Sequence, residues 1–213
     1  MNKEICIVIP ALNEEKNLKK ILIRFNKIGK TILINDNSSD LTKKIAKKFS
    51  YKVITNKFRL GYDKSLRKGM EYVIKNEKKT KYILTLDADG QHYNIPIKNI
   101  LKKLNFYDLV ICERDKLNRI SEKIISYISH IMFSIKDPIS GAKCYKLETI
   151  KKSFFSLNKK KDYIGMFFYK LYDKNKICNI KIKVNNKNKI SSFGEGFKTN
   201  LKIFITFINS LLK

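Results

Sequence analysis

Two aspartates one residue apart, Asp87 and Asp89, end the apolar run Tyr82-Ile83-Leu84-Thr85-Leu86 and precede Gly90-Gln91-His92. The run reads as a buried strand. Side chains alternate across a strand, so residues two apart point the same way and both carboxylates can aim at one spot. Paired hard oxygen ligands suit Mg2+ or Mn2+, ions that keep positions open for substrate phosphates. An Asp-rich turn whose side chains cap backbone groups has the same composition. The pair therefore gains meaning only from partners elsewhere in the chain.

Those partners depend on the elements that carry them. Residues 4–9 read as an apolar strand ended by Pro10. Ala11-Leu12-Asn13-Glu14-Glu15 follow, then a helix with Leu18, Ile21, Leu22, Phe25 and Ile28 at helical spacing. Asn13 is its expected N-cap and Gly29 its expected stop. Residues 31–34 form a second strand. It runs into Asn35-Asp36-Asn37-Ser38-Ser39-Asp40, a turn rich in capping residues, ahead of a short helix carrying Leu41, Ile45 and Phe49. A third strand is expected at residues 52–55 and a helix at about residues 63–76. After the metal-site strand, Asn94 and Pro96 open a helix with Ile97, Ile100, Leu101 and Leu104 inward, and residues 108–112 form the next strand. Strand-helix alternation over the first ~110 residues predicts an α/β fold with a mainly parallel sheet and helices on both faces. Ligands of such sheets bind at the carboxyl ends of strands. Residues 10–14, 35–40 and 87–91 all follow strand ends, so they are expected to meet on one rim, which is the main reason to expect an enzyme.

The chain has 213 residues, 43% of them apolar, and 46 Lys+Arg against 19 Asp+Glu give a net charge of +27. The length suits one domain with a real core, and the periodic apolar content excludes a disordered chain. Such charge suits nucleic acid, anionic lipid or phosphorylated substrates. It is mostly lysine spread along the chain, as on a solvated surface. The most distinctive loops are acidic, and no RNA-recognition or zinc-finger pattern is present, which argues against nucleic acid as the partner. A nucleotidyltransferase also fits a two-aspartate metal site. No G-x-G-x-x-G follows the first strand and no G-x-x-x-x-G-K-[ST] occurs, so neither a dinucleotide fingerprint nor a P-loop is expected. Cys6, Cys112, Cys144 and Cys178 lie far apart in apolar segments, suiting buried free thiols in a reducing compartment more than a zinc site. The N-terminus leads straight into a strand and does not read as a signal peptide. No apolar stretch reaches the ~20 residues that span a bilayer. The expected location is the cytoplasm, peripheral on the cytoplasmic membrane face.

Ile7-Val8-Ile9-Pro10-Ala11-Leu12-Asn13-Glu14-Glu15, Leu33-Ile34-Asn35-Asp36-Asn37-Ser38-Ser39-Asp40 and Leu86-Asp87-Ala88-Asp89-Gly90-Gln91-His92 resemble, in order and spacing, the family 2 glycosyltransferases with a GT-A fold. Asp137-Pro138-Ile139-Ser140-Gly141 adds a resemblance to the dolichol- or polyprenyl-phosphate mannose and glucose synthases. The resemblance implies that Pro10, Leu12 and Glu14 line the base and ribose pocket of a nucleotide-sugar donor, and that Ile34 and Asp36 hold base or ribose. It places Asp87, Ala88 and Asp89 against the donor diphosphate, with Asp87, Asp89 and Gln91 holding Mg2+ or Mn2+. Arg114 falls where the family contacts phosphate, and Asp137 and Ser140 fall near the acceptor. Asp89, Arg114 and Asp137 form the implied catalytic set. Three departures stand out: Leu12 replaces a common Tyr, Asn35 a frequent Asp, and Asp63 sits in a loop that is usually Gly-rich. A late block, Ser191-Ser192-Phe193-Gly194-Glu195-Gly196-Phe197-Lys198, is similar to the family's R-x-Y-G-E-S-K. Ser191 stands there for the Arg and Phe197 for the Lys, with Lys198 one residue on. Residues 1–195 are expected to form the catalytic domain, 1–112 its nucleotide-sugar half and 113–195 its acceptor half.

Glycosyl transfer breaks the anomeric carbon–diphosphate bond through an oxocarbenium-like state, and the resemblance implies inversion. A hydroxyl acceptor needs a general base, for which Asp137 and Glu113 are the candidates; a phosphate acceptor is already anionic and needs none. His92 reads as a neighbour of the metal site or a rim residue rather than a ligand, and His130 as structural. Residues 120–135 carry a broad apolar helical face of Ile120, Ile124, Ile125, Ile128, Ile131, Met132 and Ile135. Residues 196–213 form an amphipathic helix with Leu201, Phe204, Ile205, Ile208, Leu211 and Leu212 opposite Thr199, Lys202, Thr206, Asn209 and Lys213. Both are expected to lie flat on a membrane surface, which a polyprenyl-phosphate or other lipid-linked acceptor requires. Packing on the sheet, a homodimer contact and a membrane-protein partner are the alternatives. Residues 148–184 are expected to give helices and then a strand with Ile180, Ile182 and Val184 inward.

Overall fold

The structure, a computed structural model, describes residues 4–155, 172–184 and 197–212. Seven strands form one sheet: β1 (Ile5–Ala11), β2 (Lys30–Asn35), β3 (Lys52–Thr55), β4 (Tyr82–Thr85), β5 (Leu109–Arg114), β6 (Lys143–Lys146) and β7 (Ile177–Ile182), in the order β3-β2-β1-β4-β6-β5-β7. All neighbours pair in parallel except at β6, which runs antiparallel to both β4 and β5. The helices are α1 (Glu15–Asn26), α2 (Thr42–Phe49), α3 (Tyr62–Asn76), α4 (Ile97–Lys103), α5 (Ile120–Phe133), α6 (Leu147–Phe154) and α7 (Phe197–Leu212). This is the mixed, mainly parallel α/β sheet expected from the alternation of elements.

Strand alternation divides the core into two layers. Ile5, Ile7, Ile9 and Ala11 of β1 face Leu18, Ile21, Leu22 and Phe25 of α1, with Ile100 of α4 and Leu104 beside them. Cys6 and Val8 turn the other way with Ile32 and Ile34 of β2, against Leu66, Met70 and Val73 of α3. A methyl on Gly69 would fall 2.4 Å from both Ile34 Cδ1 and Val8 Cγ1, so α3 lies close against the sheet. All four cysteines are free, and Cys6, Cys112 and Cys144 are buried. Burial pushes the thiols of Cys6 and Cys112 up to about 11 and about 12, so they stay protonated and behave as small apolar side chains.

Three local expectations, at Pro10, Asn13 and Leu41, change. Pro10 lies inside β1, opposite Ile34, near the strand's end. Asn13 is not an N-cap; it has φ 55, and α1 starts at Glu15. Leu41 is 56% exposed because α2 begins one residue later and buries Thr42 and Ala46 instead. The apolar face of α5 is largely uncovered: Ile125 and Ile135 are buried, but Ile120, Ile124, Ile131 and Met132 are exposed, with Tyr127. His130 is exposed too. β7 buries Ile177, Ile180 and Ile182, with Val184 packed at its end. The late block's residues 191–196 lie outside the described residues.

Gly29 ends α1's connection to β2 under tight backbone packing, where an added Cβ would lie 2.5 Å from the Ile5 carbonyl oxygen. Gly29→Ala is expected to destabilise the fold by about 1–3 kcal/mol. It should appear as a lower urea midpoint with an unchanged denaturant slope.

Candidate active site

β1, β2 and β4 are parallel, so the loops after them share one rim. The antiparallel direction of β6 places the segment before it, residues 137–142, on that same rim. β4 pairs with β6 through Thr85 and Lys143. Continuing that register by two residues sets Asp87 opposite Gly141. A Cβ on Gly141 would fall 2.1 and 2.2 Å from the two Asp87 carboxylate oxygens. The Thr85 hydroxyl fixes the pairing by donating to the Gly141 carbonyl at 2.8 Å.

The first two loops are tied by reciprocal capping. The Asn13 amide donates to Ser38 Oγ (3.1 Å), and the Ser39 amide to Asn13 Oδ1 (2.9 Å). Thr42 Oγ1 and Asp40 Oδ2 accept from the Glu14 and Glu15 amides at 2.7 and 3.2 Å, so side chains that follow β2 cap α1, the helix after the first loop. Glu15 returns the contact by accepting from the Leu41 amide at 2.9 Å. The polar run at residues 35–40 is thus as much the cap of α1 as of α2.

Asp36 is 4% exposed and holds the loop leading into α3. Its Oδ1 accepts from Asn56 Nδ2 and the Leu60 amide, and its Oδ2 from the Gly61 amide, each at 2.8 Å. Burial alone would raise its pKa, but the hydrogen bonds from Leu60, Asn56, Gly61 and Ser65 outweigh it and hold the carboxyl below its usual value. Among the residues assigned by resemblance, Asp36 therefore has a structural task the sequence did not reveal. Ile34 and Ala88, assigned to the donor, have their side chains in the two packed layers of the core, at 0% and 4% exposure. Pro10 is buried, while Leu12 and Glu14 are half-buried on the rim.

Asp87 keeps part of its surface open and Asp89 is half-buried. Asp89 Oδ1 accepts from the Gln91 amide at 2.9 Å, which folds Gln91 back beside it. His92 is 3% exposed, with Nδ1 at 3.7 Å from Asp87 Oδ2 and neither ring nitrogen hydrogen-bonded. Burial lowers its pKa most; Asp87 and Asp137 oppose this, while Arg114 and Lys143 reinforce it, so the ring is neutral near pH 7. Beyond His92 lies a buried ion cluster. Arg114 gives Nε and Nη2 to Asp137 at 2.8 and 3.0 Å, and its amide donates to the same carboxylate at 3.1 Å. Its Nη1 is 3.6 Å from Glu122, which also takes Arg119 Nη1 at 2.8 Å. Lys143 is 5% exposed and donates to the Pro138 carbonyl at 2.9 Å. Burial pushes its amine down to about 8, against the pull of Asp137, Asp87 and Asp63.

The hydrogen bonds here bear on three residues given roles by resemblance. The guanidinium of Arg114 is committed to protein carboxylates, and Asp137, 1% exposed, accepts three N–H bonds from one residue. Ser140 is buried, its Oγ accepting from the Ala142 amide at 3.3 Å, so its hydroxyl shapes the turn. Lys143 and Glu122 enter the site without a motif to announce them; Lys143 follows the block at 137–141 by two residues, and Glu122 gave no hint.

A divalent cation fits the rim in part. No cluster of three or more His, Cys, Asp or Glu side chains converges to hold a metal among the described residues. Asp87 and Asp89 would be the protein's share, and a hard cation can complete its shell with diphosphate oxygens and water. The hard, half-open carboxylate pair suits that chemistry.

Asp36 also sets a pH signature. Its lowered pKa means it stabilises the fold fully above its unfolded value, and that contribution is lost as pH falls through the folded value. Asp36→Asn is expected to cost about 1–3 kcal/mol at pH 7. In urea titrations the gap between parent and variant should stay flat down to about pH 4 and close below it.

Residues 6–169 match the family model described as glycosyl transferase family 2. An uncharacterized protein of Methanocaldococcus jannaschii, MJ1222, is 29% identical over 223 residues, covering 96% of this chain and 91% of its own length. A second uncharacterized protein from that organism, MJ0544, is 36% identical over 104 residues, 46% of this chain and 45% of its own. Glucosyl-3-phosphoglycerate synthase from Mycobacterium tuberculosis, solved with Mn2+, UDP and phosphoglyceric acid, superposes with a TM-score of 0.72 at 16% identity, over 98% of this chain and 77% of that one. Mannosyl-3-phosphoglycerate synthase from Rubrobacter xylanophilus superposes with a TM-score of 0.70 at 10% identity, over 98% and 72% of the two chains. With its rim of acidic loops on a GT-A sheet, the chain belongs to glycosyl transferase family 2 and is a nucleotide-sugar glycosyltransferase.

Proposed function

We propose that this transferase moves a hexose, with inversion, from a UDP- or GDP-sugar to a polyprenyl phosphate at a membrane surface. Pro10, Leu12 and Glu14 edge the nucleoside pocket beside the loop held by Asp36. Asp87 and Asp89, with Gln91 beside them, would hold Mg2+ or Mn2+. When bound, such a cation offsets the negative charge that grows on the leaving diphosphate. The chain's own residues fix the two carboxylates on one rim, so little reorganisation is needed as that charge develops.

The observation that carries the acceptor reading is the Arg114–Asp137 pair. A hydroxyl acceptor needs a base with a free oxygen within reach. Asp137 spends its oxygens on Arg114 and is buried, which weighs against it as that base. A phosphate acceptor is already anionic and needs no such group. Glycosylation of a hydroxyl on a lipid-linked glycan is disfavoured on the same ground, although Glu113 is half-buried nearby.

A lipid carrier is supported by α5 and α7, which pack on each other. Ile120, Ile124, Tyr127 and Ile131 leave an apolar stripe exposed on α5, and Leu201 and Ile205 do so on α7. Lys123 and Lys136 are exposed in the same segment, as suits anionic headgroups. No helix among the described residues is long and apolar enough to cross a membrane; the attachment proposed is peripheral, on the cytoplasmic face. A small phosphorylated acid is the second reading, favoured by the phosphoglycerate-linked relatives in structure.

The test is transfer of radiolabelled hexose from UDP- and GDP-sugars, with Mn2+ or Mg2+, to polyprenyl phosphate in anionic vesicles or to phosphoglycerate in solution. Label in the lipid phase is the expected result; label only in phosphoglycerate would replace this reading by the second. Asp87→Asn should lower the transfer rate about 100-fold or more. Ile124→Glu with Ile131→Glu should weaken vesicle sedimentation while leaving donor binding intact.

A further inference from the structure

Asp87 is seated from three directions. Gly141 lies directly opposite it, in space that a methyl group would fill. The buried ring of His92 flanks it at 3.7 Å. The third contact comes from Tyr62, the first residue of α3, whose hydroxyl hydrogen-bonds the Asp87 carboxylate. A carboxylate can only accept, so the phenol O–H is the donor. Tyr62 as a whole is 37% exposed, so it reaches from the rim toward Asp87.

The position of Tyr62 is set by another motif. The two residues before it, Leu60 and Gly61, give their amides to Asp36 at 2.8 Å each. Gly61 has φ 91, a conformation that L side chains rarely adopt, and it turns the chain into α3. β1 lies between β2 and β4 in the sheet, so Asp36 and Asp87 end strands about 10 Å apart. Asp36, the Leu60–Gly61 backbone and the Tyr62 side chain bridge that gap.

We propose that Tyr62 is a positioning residue for Asp87, and that the tether at residues 60–62 couples Asp36, at the nucleoside end of the site, to the carboxylate at its cation end. The proposal rests on the reading of Asp87 as a cation ligand. A carboxylate already oriented by a donor loses less freedom when the ion arrives, and losing such a supporting partner typically costs 10–100-fold in metal affinity. A nucleoside that stiffens the tether would thereby tighten cation binding, and by linkage the cation would tighten nucleoside binding equally.

The full chain is titrated with Mn2+ alone, the free ion being read by electron paramagnetic resonance. Tyr62→Phe keeps the ring and removes only the hydroxyl. It is expected to raise the Mn2+ Kd about 10-fold or more, while its thermal midpoint moves by no more than about 4 °C. Asp36→Asn, and independently Gly61→Ala, should raise the Kd in the same direction. In the Asp36→Asn/Tyr62→Phe double variant the two effects should fall short of multiplying. A Tyr62→Phe Kd within about two-fold of the parent value, with binding abolished in Asp87→Asn, overturns this proposal alone. Full multiplication in the double variant breaks the coupling to Asp36. Mn2+ binding that is missing from the parent chain, or that survives Asp87→Asn, overturns the cation reading beneath it.

Discussion

The carboxylate of Asp87 occupies the space that residue 141 leaves by having no side chain, and the layout of the site follows from that contact. It requires β6 to run against β4, because only that direction sets residue 141 opposite residue 87. It requires the Thr85 hydroxyl to hold the Gly141 carbonyl, so that the floor does not drift. It also commits Asp87 to the α3 side of the sheet, the side on which Asp36 holds Leu60 and Gly61. Three motifs remote in sequence are thus brought to one rim by strand direction and registry, against the repulsion of their like charges.

Charge repulsion would otherwise work against such a rim. Asp87, Asp137 and Glu122 are offset by Arg114, Arg119 and Lys143, mostly inside the protein. Buried charges are tolerated when paired and hydrogen-bonded, and removing one partner strands the other. This compensation explains how Asp137 is accommodated at 1% exposure. It also assigns Arg114 a different duty from the one its motif position suggests: it fixes the loop at residues 137–142, which in turn carries Gly141. The same network touches α5 through Glu122, and Ser121 bonds Asn200 of α7 at 2.7 Å. The apolar helices are therefore joined to the catalytic rim by polar contacts as well as by chain connectivity.

Much of this was legible in the sequence, because it is local. Helical spacing at Leu18, Ile21, Leu22 and Phe25 and the apolar strands before Pro10, Asn35 and Asp87 determine the layers and the rim. The acidic blocks point to cation and nucleotide chemistry by residue type alone. What could not be read is cross-chain adjacency. Lys143 looks like an ordinary lysine until β6 lies beside β4. Tyr62 looks like a helix start until its hydroxyl meets Asp87. Asn13 resembles an N-cap, yet its side chain is spent on Ser39. The side chains of Ile34 and Ala88 pack in the core, since a motif records position along the chain and the local backbone decides the direction of each side chain. The apolar residues of α5 showed amphipathic spacing, but the spacing is silent about which of them a neighbour covers.

The central claim is that loops ending β1, β2 and β4 surround one cation and the pyrophosphate it grips. Pulsed electron–nuclear double resonance on the chain with Mn2+ and UDP, or GDP, tests it most directly. The account predicts phosphorus hyperfine couplings from nucleotide phosphate on protein-bound Mn2+, and their loss in Asp89→Ala. Protein-bound Mn2+ without phosphorus coupling, or coupling indifferent to Asp89, would contradict it.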